Sequence, residues 1–311
     1  MSNNTGVEEE LPVPDKKKVG FIGLGDMGFA MACCLLREGF DVVGFDLRQA
    51  QLDALRAKGG TIASSAADIG AQVDVAFVMV MDGAQVESVI SGEHGLLNTM
   101  SAGSTIIISS TIIPDEIRAI EKSCIAKGVE IIDTPVTGGL IGASAGTLVL
   151  MAAAKQTVFD AHKPLLDAVG GTIHHVGEEI GAGQSVKAAL QALIGSTLAG
   201  LFEALALGAK AGVKGQVIYD VFTSGWVGSP LLRQATEWVM DRKFTGTGSS
   251  VHTMNKDLSI SLRVSHSVGS PLFVASAAHE LFKSGAAKFP EEDNWAVTKV
   301  IEGISGATVE W

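Results

Sequence analysis

Six consecutive residues constrain this chain more than any others: Gly23-Leu24-Gly25-Asp26-Met27-Gly28. They follow the apolar run Lys18–Gly23 and open a helical pattern from about Met27 to Glu38, closed by Gly39. In a G-x-G-x-x-G turn, the first glycine permits a tight turn. The second lets backbone approach a pyrophosphate, and the third lets the helix pack on the strand. The helix N-terminus then offers unpaired N–H groups and a partial positive charge to phosphate. A second strand pattern, Asp41–Asp46, ends on an acidic residue about 20 positions on, where a carboxylate accepts from a ribose 2′-hydroxyl. Asp46 repels a 2′-phosphate, which favours NAD over NADP. Arg48, two residues further, is nevertheless the residue type that pairs with such a phosphate.

The same alternation continues along the chain. A helical pattern at Gln49–Lys58 stops at Gly59-Gly60, and Val73–Val80, Ser104–Ser109, Val129–Asp133 and Leu148–Ala152 read as strands. Pro114 sits at the start of the helix Asp115–Lys127, where its missing N–H costs nothing. Strands alternating with helices imply βαβ units and a parallel sheet covered on both faces. Near residue 180 the rhythm changes. Gly183–Ala211 is Ala- and Leu-rich and reads as one helix of about 29 residues, roughly 43 Å long. It is apolar on most sides and is expected to be buried between domains or subunits. Only helical patterns follow, at Gly215–Ser224, Pro230–Arg242, Val251–Val268, Pro271–Ser284 and Asp293–Ile301. The expected fold is an α/β N-terminal Rossmann-type domain with a mostly parallel sheet, over residues 17–180. An all-α C-terminal domain begun by the long helix follows over residues 181–311. Residues 1–16 are polar and read as a disordered tail.

Charge and composition exclude several function classes. With 34 acidic against 23 basic side chains, the net charge of −11 leaves no basic field for nucleic acid or an anionic membrane. Aromatic residues, at 5%, are too few for a base-stacking surface. Cys33, Cys34 and Cys124 form no disulfide framework and no metal-ligand spacing. The seven histidines contain no H-x-x-x-H pattern, and the neighbours His174 and His175 point to opposite faces of a strand, so no metal is expected. No uncharged apolar run reaches the roughly 18 residues of a membrane span. The N-terminus lacks the apolar core of a signal peptide, so the expected location is the cytoplasm.

Lys187 stands alone among apolar and small residues in the first turns of the long helix. Two fates are open to it. It can snorkel to water, or it can be buried, where desolvation lowers its pKa toward the range of a general acid/base. Three further segments are distinctive: Asp133-Thr-Pro-Val-Thr-Gly-Gly139 followed by Ala143 and Gly146, Gly181-Ala-Gly183-x-x-x-Lys187, and Lys256-Asp257. Together with the glycine turn and its Met27, these carry a resemblance to the β-hydroxyacid dehydrogenases from about Lys18 to Ile301.

That resemblance implies an NAD-dependent oxidation of a small β-hydroxy acid with Lys187 as general acid/base. It implies cofactor contacts from Gly23, Leu24, Gly25, Asp26, Met27, Gly28, Asp46 and Arg48, from Val80, Met81 and Thr111, and from Lys256 across the cleft. Substrate contacts are implied for Ser110, for Thr137, Gly138 and Gly139 on the carboxylate, for Gln191 and for Trp226. Thr137 replaces the usual Ser, and Gln191 replaces the usual Asn with one methylene more. Ile108-Ser109 stand where the family usually has an acidic residue before Ser110. Trp226 fits a pocket wall and a Trp packed between helices equally well. Two other readings stand beside this one. An NADPH-dependent aldehyde or imine reductase of the same fold is opposed by Asp46 and Lys187, and a non-catalytic dinucleotide-binding protein predicts loss of Lys187. The apolar long helix suggests a homodimer or homotetramer.

Overall fold

The chain is described by a computed structural model covering residues 17–311. The tail read over residues 1–16 lies outside the described residues. From Lys18 onward, β1 (Lys18–Ile22), α1 (Asp26–Arg37), β2 (Asp41–Phe45), α2 (Gln49–Ala57), β3 (Thr61–Ile62), α3 (Ala66–Gly70), β4 (Val75–Val78), α4 (Gly83–Ser91), β5 (Thr105–Ile108), α5 (Pro114–Ala126) and β6 (Glu130–Asp133) alternate as the βαβ pattern requires. β4 and β5 are buried at every position, as strands covered on both faces must be. Phe21 and Phe77 stack at 5.5 Å on one face, beneath Met31, Cys34 and Leu35 of α1. Ile22, Val78, Ile106 and Ile108 face the other way and meet Ile117, Ile120 and Cys124 of α5.

The parallel register brings the strand exits into one line. Phe45 pairs with Ile22, Ile22 with Val78, Val78 with Ile108, and Ile108 with Asp133. Gly23, Asp46, Val80, Ser110 and Thr134 lie one or two residues beyond that line, at the carboxyl edge where open α/β sheets bind ligands. The sheet then departs from the simple parallel pattern. β7 (Val136–Thr137), α6 (Gly139–Ala145), β8 (Leu148–Ala153), α7 (Gln156–Val169) and β9 (Gly170–Gly177) complete the first half. β8 runs antiparallel to both β6 and β7, and β9 is parallel to β8 at the edge. The sequence pattern missed β3 and β7 and four helices, α3, α4, α6 and α7, and of β9 it marked only the neighbourhood of His174 and His175. β3 and β7 are two residues each, β9 opens on two glycines, α6 opens on Gly139, and α7 carries Pro164 inside it. Each of these resembles a turn locally, and only pairing or packing with the rest of the fold stabilises it.

The second half is helical. α8 (Ala182–Lys210) spans 29 residues, and α9 (Gly215–Ser224), α10 (Pro230–Met240), α11 (Val251–Val268), α12 (Phe273–Lys288) and α13 (Thr298–Ser305) follow. Two expected helices shift. α12 starts at Phe273 and runs on to Lys288, and the last helical pattern divides into a 3-10 turn at Asn294–Val297 followed by α13. By length and composition α8 could cross a membrane. Here it packs against α11, α12 and α13, with its first turns on the sheet.

α8 is less enclosed than its composition suggests, since Val186, Leu193 and Leu207 are exposed on its outer face. Its buried seam reads Gln184, Lys187, Gln191, Gly195, Leu198, Phe202 and Leu205, at spacings of three and four. The seam is apolar where it enters the helical core and polar where it faces the sheet edge. α11 crosses α8 closely: Ser261 Oγ donates to Ala188 O at 2.7 Å, and a Cβ at Gly195 would stand 2.6 Å from Leu258.

Gly195→Val should therefore force the two helices apart. The expected loss is about 1–3 kcal/mol of stability, the usual cost of overpacking, read as a lower denaturant midpoint. A midpoint equal to wild type would show that the crossing has room for a side chain.

Candidate active site

The glycine turn presents an open cradle. Gly23 has φ 88°, and a Cβ there would lie 2.3 Å from Met79 O. A Cβ on Gly28 would lie 2.0 Å from Gly23 O, so α1 meets β1 with no room for a side chain. Gly25 is different. Its Cβ would meet only Arg48 Nη2, 3.8 Å away, in otherwise open space. α3 and α4 are capped by the side chains of Ser65 and Asp82, whereas α1 has no side-chain cap. Its first N–H groups are thus available to an anion. Asp26 is exposed and Met27 half-buried beside that opening.

Asp46 stands at the exit of β2. Its Oδ2 accepts from Leu24 N at 2.7 Å, and its Oδ1 accepts from Arg48 N at 2.9 Å. Arg48 closes over the carboxylate through Nε at 3.0 Å and Nη2 at 3.1 Å. Burial raises the carboxyl's pKa, but hydrogen bonds from Arg48 and Leu24 outweigh it and hold Asp46 below its ordinary range. Arg48 is mostly exposed and Asp46 nearly buried, so the guanidinium forms the solvent side of the pair. A carboxylate at the ribose position, a bare helix N-terminus and an open Gly25 face fit a dinucleotide.

Strand exits and the helical half meet at Lys256. Its Nζ donates to Met81 O and to Thr111 O, both at 3.0 Å, and lies 3.1 Å from Asp257 Oδ1. Asp257 is buried, and its Oδ2 accepts from Gln191 Nε2 at 2.6 Å. Lys187, one turn before Gln191, is 5% exposed and does not snorkel. Among the described residues it forms no ion pair or hydrogen bond. Burial pushes its pKa below the ordinary lysine value, the charge of Asp257 pulls upward, and Lys256 pushes further down. Asp257 thus pairs directly with Lys256 and acts on Lys187 only through its charge, and among the described residues Lys187 has no direct ligand.

Other sequence-derived candidates are placed less uniformly. Ser110 is fully buried, and its hydroxyl accepts from Val80 N at 2.8 Å, so it braces the exits of β4 and β5. Thr137 ends β7, while Gly138 and Gly139 are exposed with φ of 127° and 60°. Successive glycine N–H groups in such a turn form an anion-binding concavity. Trp226 is fully exposed and is not brought to the cluster. Sequence reasoning missed Gln184, although it carries the same signal as Lys187, a polar side chain within an apolar helix. It also left Asp133 and Asp257 without roles of their own.

The chain is similar to known dehydrogenases along most of its length. Residues 18–177 match the family model described as the NAD binding domain of 6-phosphogluconate dehydrogenase. Residues 181–301 match the one described as NAD-binding of NADP-dependent 3-hydroxyisobutyrate dehydrogenase. The chain is 35% identical to 2-(hydroxymethyl)glutarate dehydrogenase of Eubacterium barkeri, over 94% of this chain and 97% of that protein. It is 32% identical to L-threonate dehydrogenase of Haemophilus influenzae, over 92% of this chain and 96% of that protein. A solved structure of 3-hydroxyisobutyrate dehydrogenase from Salmonella typhimurium matches with a TM-score of 0.84 and 33% identity, covering 92% of this chain and all of that one.

A buried ammonium without a direct ligand is a cost to folding. Lys187→Met should raise the melting temperature measured by calorimetry. The sign with pH follows from the lowered pKa. Between that value and about 10.4 the unfolded chain binds the proton and the folded chain does not, so wild type gains stability as pH rises. The advantage of Lys187→Met should shrink over the same window. A variant less stable than wild type at neutral pH would show that Lys187 stabilises the fold.

Proposed function

The chain belongs to the β-hydroxyacid dehydrogenase family and is an NAD-dependent oxidoreductase; from that premise we propose that it oxidises a small β-hydroxy acid, R-CH(OH)-CH(R′)-COO⁻, with Lys187 taking the hydroxyl proton. The observation that carries this reading is the buried, unligated Lys187 beside Asp257. Gly23, Gly25 and Gly28, the bare N-terminus of α1, Asp46 with Arg48, and the strand exits Val80, Met81 and Thr111 are the residues to hold NAD. When bound there, NAD supplies the acceptor for the hydride that leaves the carbinol carbon.

The protein's own part is to place two reactants and to move one proton. Thr137, Gly138 and Gly139 hold the substrate carboxylate with one hydroxyl and successive N–H groups. Neutral Lys187 accepts the hydroxyl proton, and in the reverse direction its ammonium returns that proton to the carbonyl oxygen. Asp257 steadies the ammonium once it forms. Gln191, fixed by its bond to Asp257, keeps a carbonyl oxygen and one N–H for substrate. The acids that two relatives are named for, 2-(hydroxymethyl)glutarate and L-threonate, carry polar groups beyond one carboxylate and one hydroxyl. The longer reach of Gln191 suits such a substrate. The exposed Val186, Leu193 and Leu207 on α8 support a homo-oligomer, which a monomer mass by light scattering would contradict.

The experiment is absorbance in the reduced-nicotinamide band, with purified protein, NAD or NADP, and a panel of acids. The panel holds L-serine, 3-hydroxyisobutyrate, D-glycerate, L- and D-threonate, 2-(hydroxymethyl)glutarate and 4-hydroxybutyrate. NAD reduction by one of the β-hydroxy acids, falling about 10²–10⁴-fold in Lys187→Ala, is the expected result. Wild-type turnover in that variant would remove Lys187 from its role.

A further inference from the structure

Asp133 ends β6, is fully buried, and has no cationic partner among the described residues. Burial pushes its pKa up to about 6 against the hydrogen bonds that pull it down. What compensates the carboxylate is the start of α8. Oδ2 accepts from Gly181 N at 2.9 Å and from Gln184 N at 3.2 Å, and Oδ1 accepts from Gln184 Nε2 at 2.9 Å. The positive end of a 29-residue helix is aimed at the same group. Contact is close enough that a Cβ on Gly183 would lie 2.5 Å from Met151 O and 2.9 Å from Asp133 O.

Gln184, also fully buried, extends the link sideways. Its Nε2 donates to Ser110 O at 3.0 Å, and its Oε1 accepts from Ile112 N at 2.9 Å. One amide thereby joins the exit of β5, the end of β6 and the first turn of α8. Ser110 passes the connection to β4 through Val80 N. Lys187 follows Gln184 by three residues on the same helix face.

We infer that Asp133 and Gln184 are positioning residues: together they lock the first turn of α8 to the exits of β5 and β6, and so set where the Lys187 amine stands relative to the cofactor edge. Neither touches substrate or cofactor, and both act through Lys187. This inference rests on the proton-carrying role proposed for Lys187. A misplacement of about 1 Å at a reacting group can cost on the order of 10²-fold in rate. A stable core alone would not require this pairing, because the apolar half of the α8 seam already anchors the helix.

The test is a double-mutant cycle on the full chain, with Gln184→Met, Lys187→Ala and the combination. Gln184→Met keeps the side-chain volume and removes three hydrogen bonds. It is expected to lower kcat about 10- to 100-fold, with KM for the hydroxy acid and NAD binding by fluorescence within about twofold of wild type. In the Lys187→Ala background it is expected to add nothing, because the group it positions is gone. A merely structural Gln184 would lower both backgrounds by the same factor. Equal factors, or an unchanged kcat in Gln184→Met, overturn the inference. Failure of the Lys187 role itself looks different: Lys187→Ala alone would then keep wild-type turnover. If Gln184→Met does not fold, Gln184→Asn, which keeps the amide and shortens its reach, enters the same cycle with the same two criteria.

Discussion

A buried carboxylate facing a helix N-terminus holds the two halves of this protein in register. Asp133 belongs to the sheet and the donors around it belong to α8. An unpaired charge in that place would be costly, so the helix must start where its N–H groups can reach the carboxylate. Once the start of α8 is fixed, its 3.6-residue period fixes which positions face the sheet edge. Gln184, Lys187 and Gln191 fall on that face, and Leu198, Phe202 and Leu205 continue the seam into the helical core. α11 is then drawn against α8 at Gly195 and Ser261, which brings Lys256 and Asp257 to the same edge.

The charges at that edge are unequal by design of their surroundings. Lys256 has two backbone carbonyls and a carboxylate within reach. Lys187 has burial and only the field of its neighbours. Two lysines with the same intrinsic chemistry therefore sit in different surroundings: one ties the helical half to the strand exits, and the other is the proposed proton carrier. Asp257 is shared between them and also holds the Gln191 amide, so a single buried carboxylate sets both the charge balance and the orientation of a polar group at the cleft.

Much of this was legible in the sequence where the determinants are local. The glycine turn, Asp46 at the end of β2, and a lysine isolated in an apolar helix are each read from a short window, and the long helix was placed to within one residue at either end. What was not legible depends on residues far apart in the chain. Asp133 and Gln184 are separated by 51 positions, and Gln191 and Asp257 by 66. No local pattern says that a motif's first Asp faces a helix N-terminus rather than a ligand. Ser110 adds a link of the same kind: its place at a strand exit suggests substrate, and its hydroxyl also accepts from Val80 N of the neighbouring strand. The exposed stripe on α8 was hidden by composition, since alanine and leucine look alike in a buried and a half-buried helix.

The proton-carrying role proposed for Lys187 depends on its amine titrating apart from the other lysines. NMR titration of protein labelled with ¹³C at the lysine ε-carbon reads this directly. One resonance with a midpoint below the ordinary value of about 10.4, absent from Lys187→Met, is the predicted result. A Lys187 resonance that titrates together with the exposed lysines would contradict it.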